Sequence, residues 1–252
     1  MPERFFIDDV LDAGSGMAVA GTLAHHIARS LRMRPGETIV AVDGSGREHG
    51  VRLRTVTAVL VEGEVTWSRA ATGEPRLRVT VVQALPRERM EDCIDVLVEA
   101  GAAGIRPVRT ERAVSRPPDD RVAQRVRRWQ IVATESAQLS GRGIIPVVHA
   151  PTSLADGLAA LTAGSRVIAG TFDGATSLAT LDVDSSRPLA LCIGPEGGFG
   201  DGDLEALHSA GAELVHLGPR VLRTRYAGAV ATALLLGRAG DLDAPVAAEP
   251  RA

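Results

Sequence analysis

The chain has 252 residues, 45% of them hydrophobic, and a formal net charge of −3. That length allows one large or two ordinary domains, and no apolar run is long enough to span a membrane. The near-neutral balance leaves nucleic-acid binding to local patches, and because all 28 basic residues are arginine, Schiff-base chemistry and a P-loop, which need lysine, are excluded.

The first seventy or so residues read as β-structure. Phe5-Phe6-Ile7, Thr38–Val42, Gly50–Val56 and Ala58–Val65 are short β-branched runs, and Asp43-Gly44-Ser45-Gly46 is a hairpin turn between two of them. A single helix is predicted over Ala24–Arg32, ended by Arg34-Pro35-Gly36. A small barrel with one helix fits this pattern, and Ala70–Pro75 is the best linker.

Beyond it strands and helices alternate. Strands are predicted at Arg78–Gln83, Ile105–Val108, Arg166–Ala169, Leu189–Ile193 and Glu213–Leu217. Helices are predicted at Met90–Gly101, Arg121–Leu139, Asp201–Ala210 and Thr224–Arg238. The longest carries Val122, Val126, Trp129, Ile131 and Val132 on its apolar face. This alternation predicts a mostly parallel α/β sheet covered on both faces. Cys93 and Cys192 read as buried free thiols in a reducing cytoplasm. The N-terminus lacks a signal-peptide core, a cytoplasmic location is expected, and no Cys/His cluster suggests a metal site. Residues 240–252, with two prolines and no periodicity, are expected to be a disordered tail.

Two stretches carry the chemistry. Ile193-Gly194-Pro195-Glu196-Gly197-Gly198 and Leu217-Gly218-Pro219-Arg220-Val221-Leu222-Arg223 each follow a strand with a Gly-Pro turn. Turns at the carboxyl ends of neighbouring strands make ligand crevices in open α/β sheets. Each is also compatible with an ordinary strand–turn–helix junction, with Asp201 as the N-cap of the helix after the first. The helix from Thr224 is apolar nearly all round and is expected to be buried. Arg121, Arg125, Arg127 and Arg128 could track RNA phosphate or form a solvated helix face, partly offset by Asp119 and Asp120.

Together the two turns resemble the C-terminal signature of the SPOUT methyltransferases, in particular the ribosomal RNA small subunit methyltransferase E family. Arg4-Phe5-Phe6, His25–Arg32 and the Asp43-Gly44 turn resemble that family's PUA-like domain, and Glu99-Ala100-Gly101, Ser140-Gly141-Arg142 and Ile145-Pro146 fall in family order. The resemblance implies a PUA-like β-barrel over residues 1–71 and a trefoil-knotted methyltransferase domain over 76–239. It further implies a cytoplasmic homodimer that uses S-adenosylmethionine (SAM), leaves S-adenosylhomocysteine, and methylates N3 of a uridine in 16S rRNA of the small ribosomal subunit. The cofactor would lie against Thr171, Ile193, Gly194, Pro195, Glu196, Gly197, Gly198, Leu217, Gly218, Val221 and Leu222. Arg223, Glu196 and Arg142 are the catalytic candidates, and Arg4, His26, Arg32 and Arg128 the RNA-binding ones.

The sequence departs from the family pattern at Val96, where a lysine is usual, at Leu139 in place of the glutamine of a Glu-Gln pair, and at Arg225-Tyr226, where many members have Glu-Thr. A paralogue with a changed acceptor (a small metabolite, or another rRNA nucleotide in antibiotic resistance) and a non-catalytic RNA-binding module are the rival readings. Intact glycine turns disfavour the second.

Overall fold

In the N-terminal region the β-branched runs pair as a five-stranded sheet. β1 (Arg4–Phe6), β2 (Gly16–Ala20), β3 (Thr38–Val42), β4 (Arg47–Val56) and β5 (Leu60–Ala70) lie in the order β1-β3-β4-β5-β2. This computed structural model describes residues 3–87, 89–114 and 119–243, so most of the expected tail lies outside the described residues. β3 and β4 form the predicted hairpin, with Thr38 opposite Arg52 and Val42 opposite Glu48. His49 fastens its turn: Nε2 lies 3.1 Å from the Asp43 carboxylate and Nδ1 2.7 Å from the Ser68 hydroxyl. Burial alone would raise the Asp43 carboxyl. Hydrogen bonds from the Ser45 hydroxyl and N–H, together with His49, outweigh it and hold the group below the ordinary carboxylate range.

Phe5, Ile27, Ile39, Val51, Leu53 and Val61 fill the core of this unit. The predicted helix is two pieces, α1 (Gly21–His25) and a π-helical turn, His26–Ser30. β2 was not expected, because Gly16-Met17-Ala18-Val19-Ala20 has little β-branched content and gains its place by pairing with β5. The first unit comprises residues 1–74 together with Ala137–Ile145, a segment that chain order places far from the rest.

The second unit comprises Pro75–Ser136 and, among the described residues, 146–243. Its strands are β6 (Val79–Ala84), β7 (Gly104–Arg109), β8 (Val147–Val148), β9 (Thr152–Ser153), β10 (Arg166–Gly170), β11 (Thr176–Ser177), β12 (Leu189–Ile193) and β13 (Glu213–His216). All pair in parallel, in the order β11-β13-β10-β12-β6-β7-β8, with β9 beside β7. Its helices are α2 (Met90–Glu99), α3 (Val122–Leu139), α4 (Leu154–Ala159), α5 (Asp201–Ser209) and α6 (Thr224–Arg238). α3 runs on into the segment assigned to the first unit.

Side-chain alternation sends each strand's residues to opposite faces. Ala190 and Cys192 of β12 join Val82, Val108, Leu154, Leu158 and Leu207 under α4 and α5. Ile193 instead faces α6, near Gly228 and Leu97 of α2. β12 is buried throughout, as expected of a strand covered on both faces. Both cysteines are buried, and burial pushes the Cys192 thiol up to about 12.

Two expectations are corrected here. Ile131 is 58% exposed, because α3 turns a narrower stripe inward, centred on fully buried Trp129. α6 is not buried all round: Tyr226, Val230 and Leu234, one helical turn apart, stay 38–40% exposed on the side away from the sheet. No helix among the described residues is long and apolar enough to cross a membrane.

Candidate active site

Three turns leave the carboxyl ends of adjacent strands. β10 lies between β12 and β13, with Gly170 level with Ile193 on one side and Val215 on the other. The chain after β12 is the Ile193–Gly198 turn, that after β13 the Leu217–Arg223 turn, and that after β10 begins at Thr171. The pairing therefore brings together every predicted cofactor-contacting residue at one end of the sheet.

The backbone conformations explain the residue choice. Gly198 has φ +70°, and its N–H donates to the Pro195 carbonyl at 2.9 Å, closing the turn. Gly218 has φ +93° and donates to His216 Nδ1 at 3.2 Å. Such conformations are costly for residues with a side chain. Pro195 is buried, Gly194 and Gly198 half-buried, and Gly218 to Val221 exposed, so main-chain groups rim an open crevice. Thr171 donates its N–H to Val215, but its Oγ1 is buried without a hydrogen-bond partner. A buried hydroxyl without a partner is uncommon and suits a ligand polar group. Gln83 Oε1, at the end of β6 and beside Gly228 of α6, is buried in the same unpaired state.

Side chains lock the first turn from outside. Both oxygens of the Glu196 carboxylate accept the Arg87 N–H, at 3.2 and 3.3 Å, and Arg112 donates to the Gly197 carbonyl at 3.2 Å. Asp201 is not the N-cap. Gly200 takes that place, and Asp203, three residues on, reaches back to accept its N–H at 2.9 Å. The same carboxylate accepts the Glu111 N–H at 3.1 Å, joining the loop after β7 to the start of α5. Arg87, Arg112 and exposed Phe172, which stands over Gly198, are not among the residues the sequence pointed to. Only Asp203 left a local signal, as an acidic residue at the third helical position.

Arg223 is exposed and forms the N-cap of α6, its carbonyl accepting from Tyr226 and Ala227. Arg142 belongs to the first unit. It is 3% exposed and pairs with Glu74 through Nε at 2.9 Å and Nη2 at 3.0 Å. Glu74 also accepts the N–H groups of Gly143 and Ile144. Arg4 is similarly engaged, donating to buried Glu48 and to the Gly141 carbonyl. His26 and Arg32 are exposed, and Arg128, exposed on α3, pairs with Glu91 at 3.0 Å.

The departures are absorbed differently. Arg225 lies over the Tyr226 ring at 4.4 Å and approaches Asp92 of α2 at 3.8 Å. Val96 is half-buried on α2, one turn from Asp92. Leu139 is 82% exposed at the end of α3.

Comparison with known proteins agrees with both units. An RNA methyltransferase domain family matches residues 73–236, and an RNA methyltransferase PUA domain family matches residues 19–57. Ribosomal RNA small subunit methyltransferase E of Mycobacterium bovis is 34% identical over 94% of this chain and 91% of its own length. The protein of that name from Synechocystis is 31% identical, over 83% of this chain and 69% of its own length. Among solved structures, ribosomal RNA small subunit methyltransferase E from Neisseria gonorrhoeae, bound to S-adenosyl methionine, superposes with a TM-score of 0.85. It is 27% identical over 94% of this chain and 98% of its own. A putative methyltransferase from Legionella pneumophila, in complex with SAM, gives 0.82 at 25% identity, over 94% of this chain and 98% of its own. With a PUA-like sheet, a parallel α/β methyltransferase unit and this similarity along nearly its full length, the chain belongs to the ribosomal RNA small subunit methyltransferase E family of RNA methyltransferases.

Proposed function

We propose that the protein transfers a methyl group from SAM to N3 of a uridine in 16S rRNA of the small ribosomal subunit, in the cytoplasm. The observation that carries this reading is the set of three turns at the carboxyl ends of β10, β12 and β13, with the unpaired Thr171 hydroxyl among them. Relatives similar along nearly the whole chain are named ribosomal RNA small subunit methyltransferases, and two similar structures hold SAM.

Thr171, Ile193–Gly198, Leu217, Gly218, Val221 and Leu222 would hold the cofactor, largely through main-chain groups. When bound, it supplies an electrophilic methyl carbon on a sulfonium sulfur. The remaining work belongs to the chain. The acceptor nitrogen must be aligned with the methyl carbon, which lowers the barrier by positioning. As the N3 proton leaves, negative charge spreads over the uracil, and we assign its stabilisation to Arg223 at the start of α6. Glu196 acts by position, holding the loop of Arg87 beside the turn. Arg142, buried against Glu74, holds the 137–145 segment in place, and the bidentate pair supports that role over contact with the reacting base.

The Arg225–Tyr226 departure does not by itself require a changed acceptor, because Arg225 is directed at Asp92 and the Tyr226 ring. A homodimer is inferred from the stripe of Tyr226, Val230 and Leu234, and the knot from the family fold, with β13 lying outside β10 supporting it.

The deciding experiment incubates the protein and radiolabelled SAM with small subunits from a strain lacking the modification. Label should enter 16S rRNA at one uridine. If SAM binds in calorimetry and no label enters the RNA, this acceptor is wrong.

Arg32 supplies a separate check on the RNA-binding assignment. It follows the π-helical turn with φ +55°, the single non-glycine residue with positive φ among those described. Glycine usually fills that place after a helix, so an arginine held there at a conformational cost suggests use of its charge. Arg32→Gly should raise stability by about 0.5–1 kcal/mol in urea melts. The same variant should weaken rRNA binding several-fold. Gain in stability without loss of binding would remove Arg32 from the RNA surface.

A further inference from the structure

A cavity of about 620 Å³ opens between the β6–α2 loop and the start of α3, entirely within the second unit, and no role has been given to it. Five arginines line it: Arg87 and Arg89 from the loop, and Arg121, Arg125 and Arg128 from the other side. Positions 121, 125 and 128 fall on one helical face, so the run read from the sequence is divided. Arg127 does not line the cavity.

Two of the five are partly neutralised, Arg128 by Glu91 at 3.0 Å and Arg89 by Asp92 at 4.0 Å. Among the described residues, the side chains of Arg87, Arg121 and Arg125 have no ion-pair partner. Converging guanidinium groups repel one another, and a folded chain keeps such a cluster most readily where an anion joins it. The volume lies within the range of nucleotide-sized sites.

Resting on the RNA methyltransferase reading above, we propose that this cavity cradles the phosphodiester backbone of the RNA beside the acceptor nucleotide. The cofactor is the wrong ligand for it: SAM carries two cationic groups and one carboxylate, and the three arginines without an ion-pair partner would oppose it. A polyanion with phosphates at regular spacing matches the cluster, and arginine forks suit phosphate oxygens. The cavity is also tied to the methyl-transfer turn, because the Arg87 N–H bonds the Glu196 carboxylate. RNA backbone held by Arg87 would thus be referenced to the Gly194–Gly198 turn through a single hydrogen-bonded link.

The test uses the full-length protein with Arg121 and Arg125 both changed to serine, and Arg127→Ser as a control that removes one charge from the same arginine run. Binding of small-subunit rRNA is measured by filter retention from about 50 to 200 mM salt, a range over which phosphate contacts dominate. The double variant should bind at least about tenfold more weakly at the lower end, with a salt slope shallower by roughly 1 to 2. Arg127→Ser should change affinity less than twofold, and lysine at both 121 and 125 should restore the slope. SAM affinity by calorimetry should be the same in all.

Unchanged rRNA affinity and slope in the double variant overturn the proposal. So does an equal per-charge loss in Arg127→Ser, which would make the effect one of net charge, and so does a parallel fall in SAM affinity, which would assign the cavity to the cofactor. A wild-type protein without measurable rRNA affinity overturns it too. If wild type binds rRNA through these arginines but leaves uridine unmethylated, the acceptor assignment fails and the cradle stands.

Discussion

Gly198→Val should yield a folded protein whose SAM affinity is lower by at least about 100-fold. The Gly198 backbone sits at φ +70° and closes the turn by donating to Pro195. A left-handed conformation costs a residue with a side chain about 1–2 kcal/mol, and a β-branched one is a clear outlier there. The turn would refold to escape the strain, moving the main-chain groups of Gly194 to Gly198 away from the crevice. A 100-fold loss corresponds to about 2.7 kcal/mol, within reach of strain combined with lost contacts. Gly211, at φ +68° after α5, provides the control, since nothing lies within 4 Å of a Cβ there. Gly211→Val should lower the melting temperature similarly while SAM affinity stays within twofold. Gly197 is the weaker place for this test, although the motif singles it out equally: its φ is not positive, and an added Cβ would rest 3.4 Å from the Arg112 Cβ. Wild-type affinity in Gly198→Val would move the cofactor away from this turn.

The second large effect is on stability. Glu74→Ala should destabilise the first unit by about 3–5 kcal/mol, the range for removing one partner of a buried ion pair. Arg142, 3% exposed, would keep its charge with its bidentate partner gone, and the Gly143 and Ile144 N–H groups would lose their acceptor. The double variant Glu74→Gln, Arg142→Met should recover part of the loss, because no buried charge remains. Chemical melts report the stabilities, and methyl transfer per folded molecule reports catalysis. If Arg142 holds structure, the double variant keeps most of its kcat once folded. A drop of 100-fold or more in kcat with stability restored would return Arg142 to the reacting base.

Element by element, the local signals carried far. β3, β12 and α6 begin and end where β-branched runs or an apolar small-residue helix predict, at Thr38–Val42, Leu189–Ile193 and Thr224–Arg238. α4 was missed despite a readable start, Ser153 accepting the Asp156 N–H at 3.1 Å, because six residues give too short a period to recognise. β8, β9 and β11, two residues each, have no period at all.

By itself, the sequence determined the order of elements, the two Gly-Pro turns and the chemical type of the site, because backbone propensity, turn chemistry and a contiguous motif are written in neighbouring residues. The tertiary structure decided which polar groups meet. Glu196 holds Arg87 across 109 positions, Asp203 holds Glu111 across 92, and Arg142 holds Glu74 across 68. It also divided the arginine run at 121–128, turning Arg121, Arg125 and Arg128 to a cavity that Arg127 does not line. An ion pair or a cavity forms where strands and helices happen to converge in space, and sequence separation carries no record of that convergence.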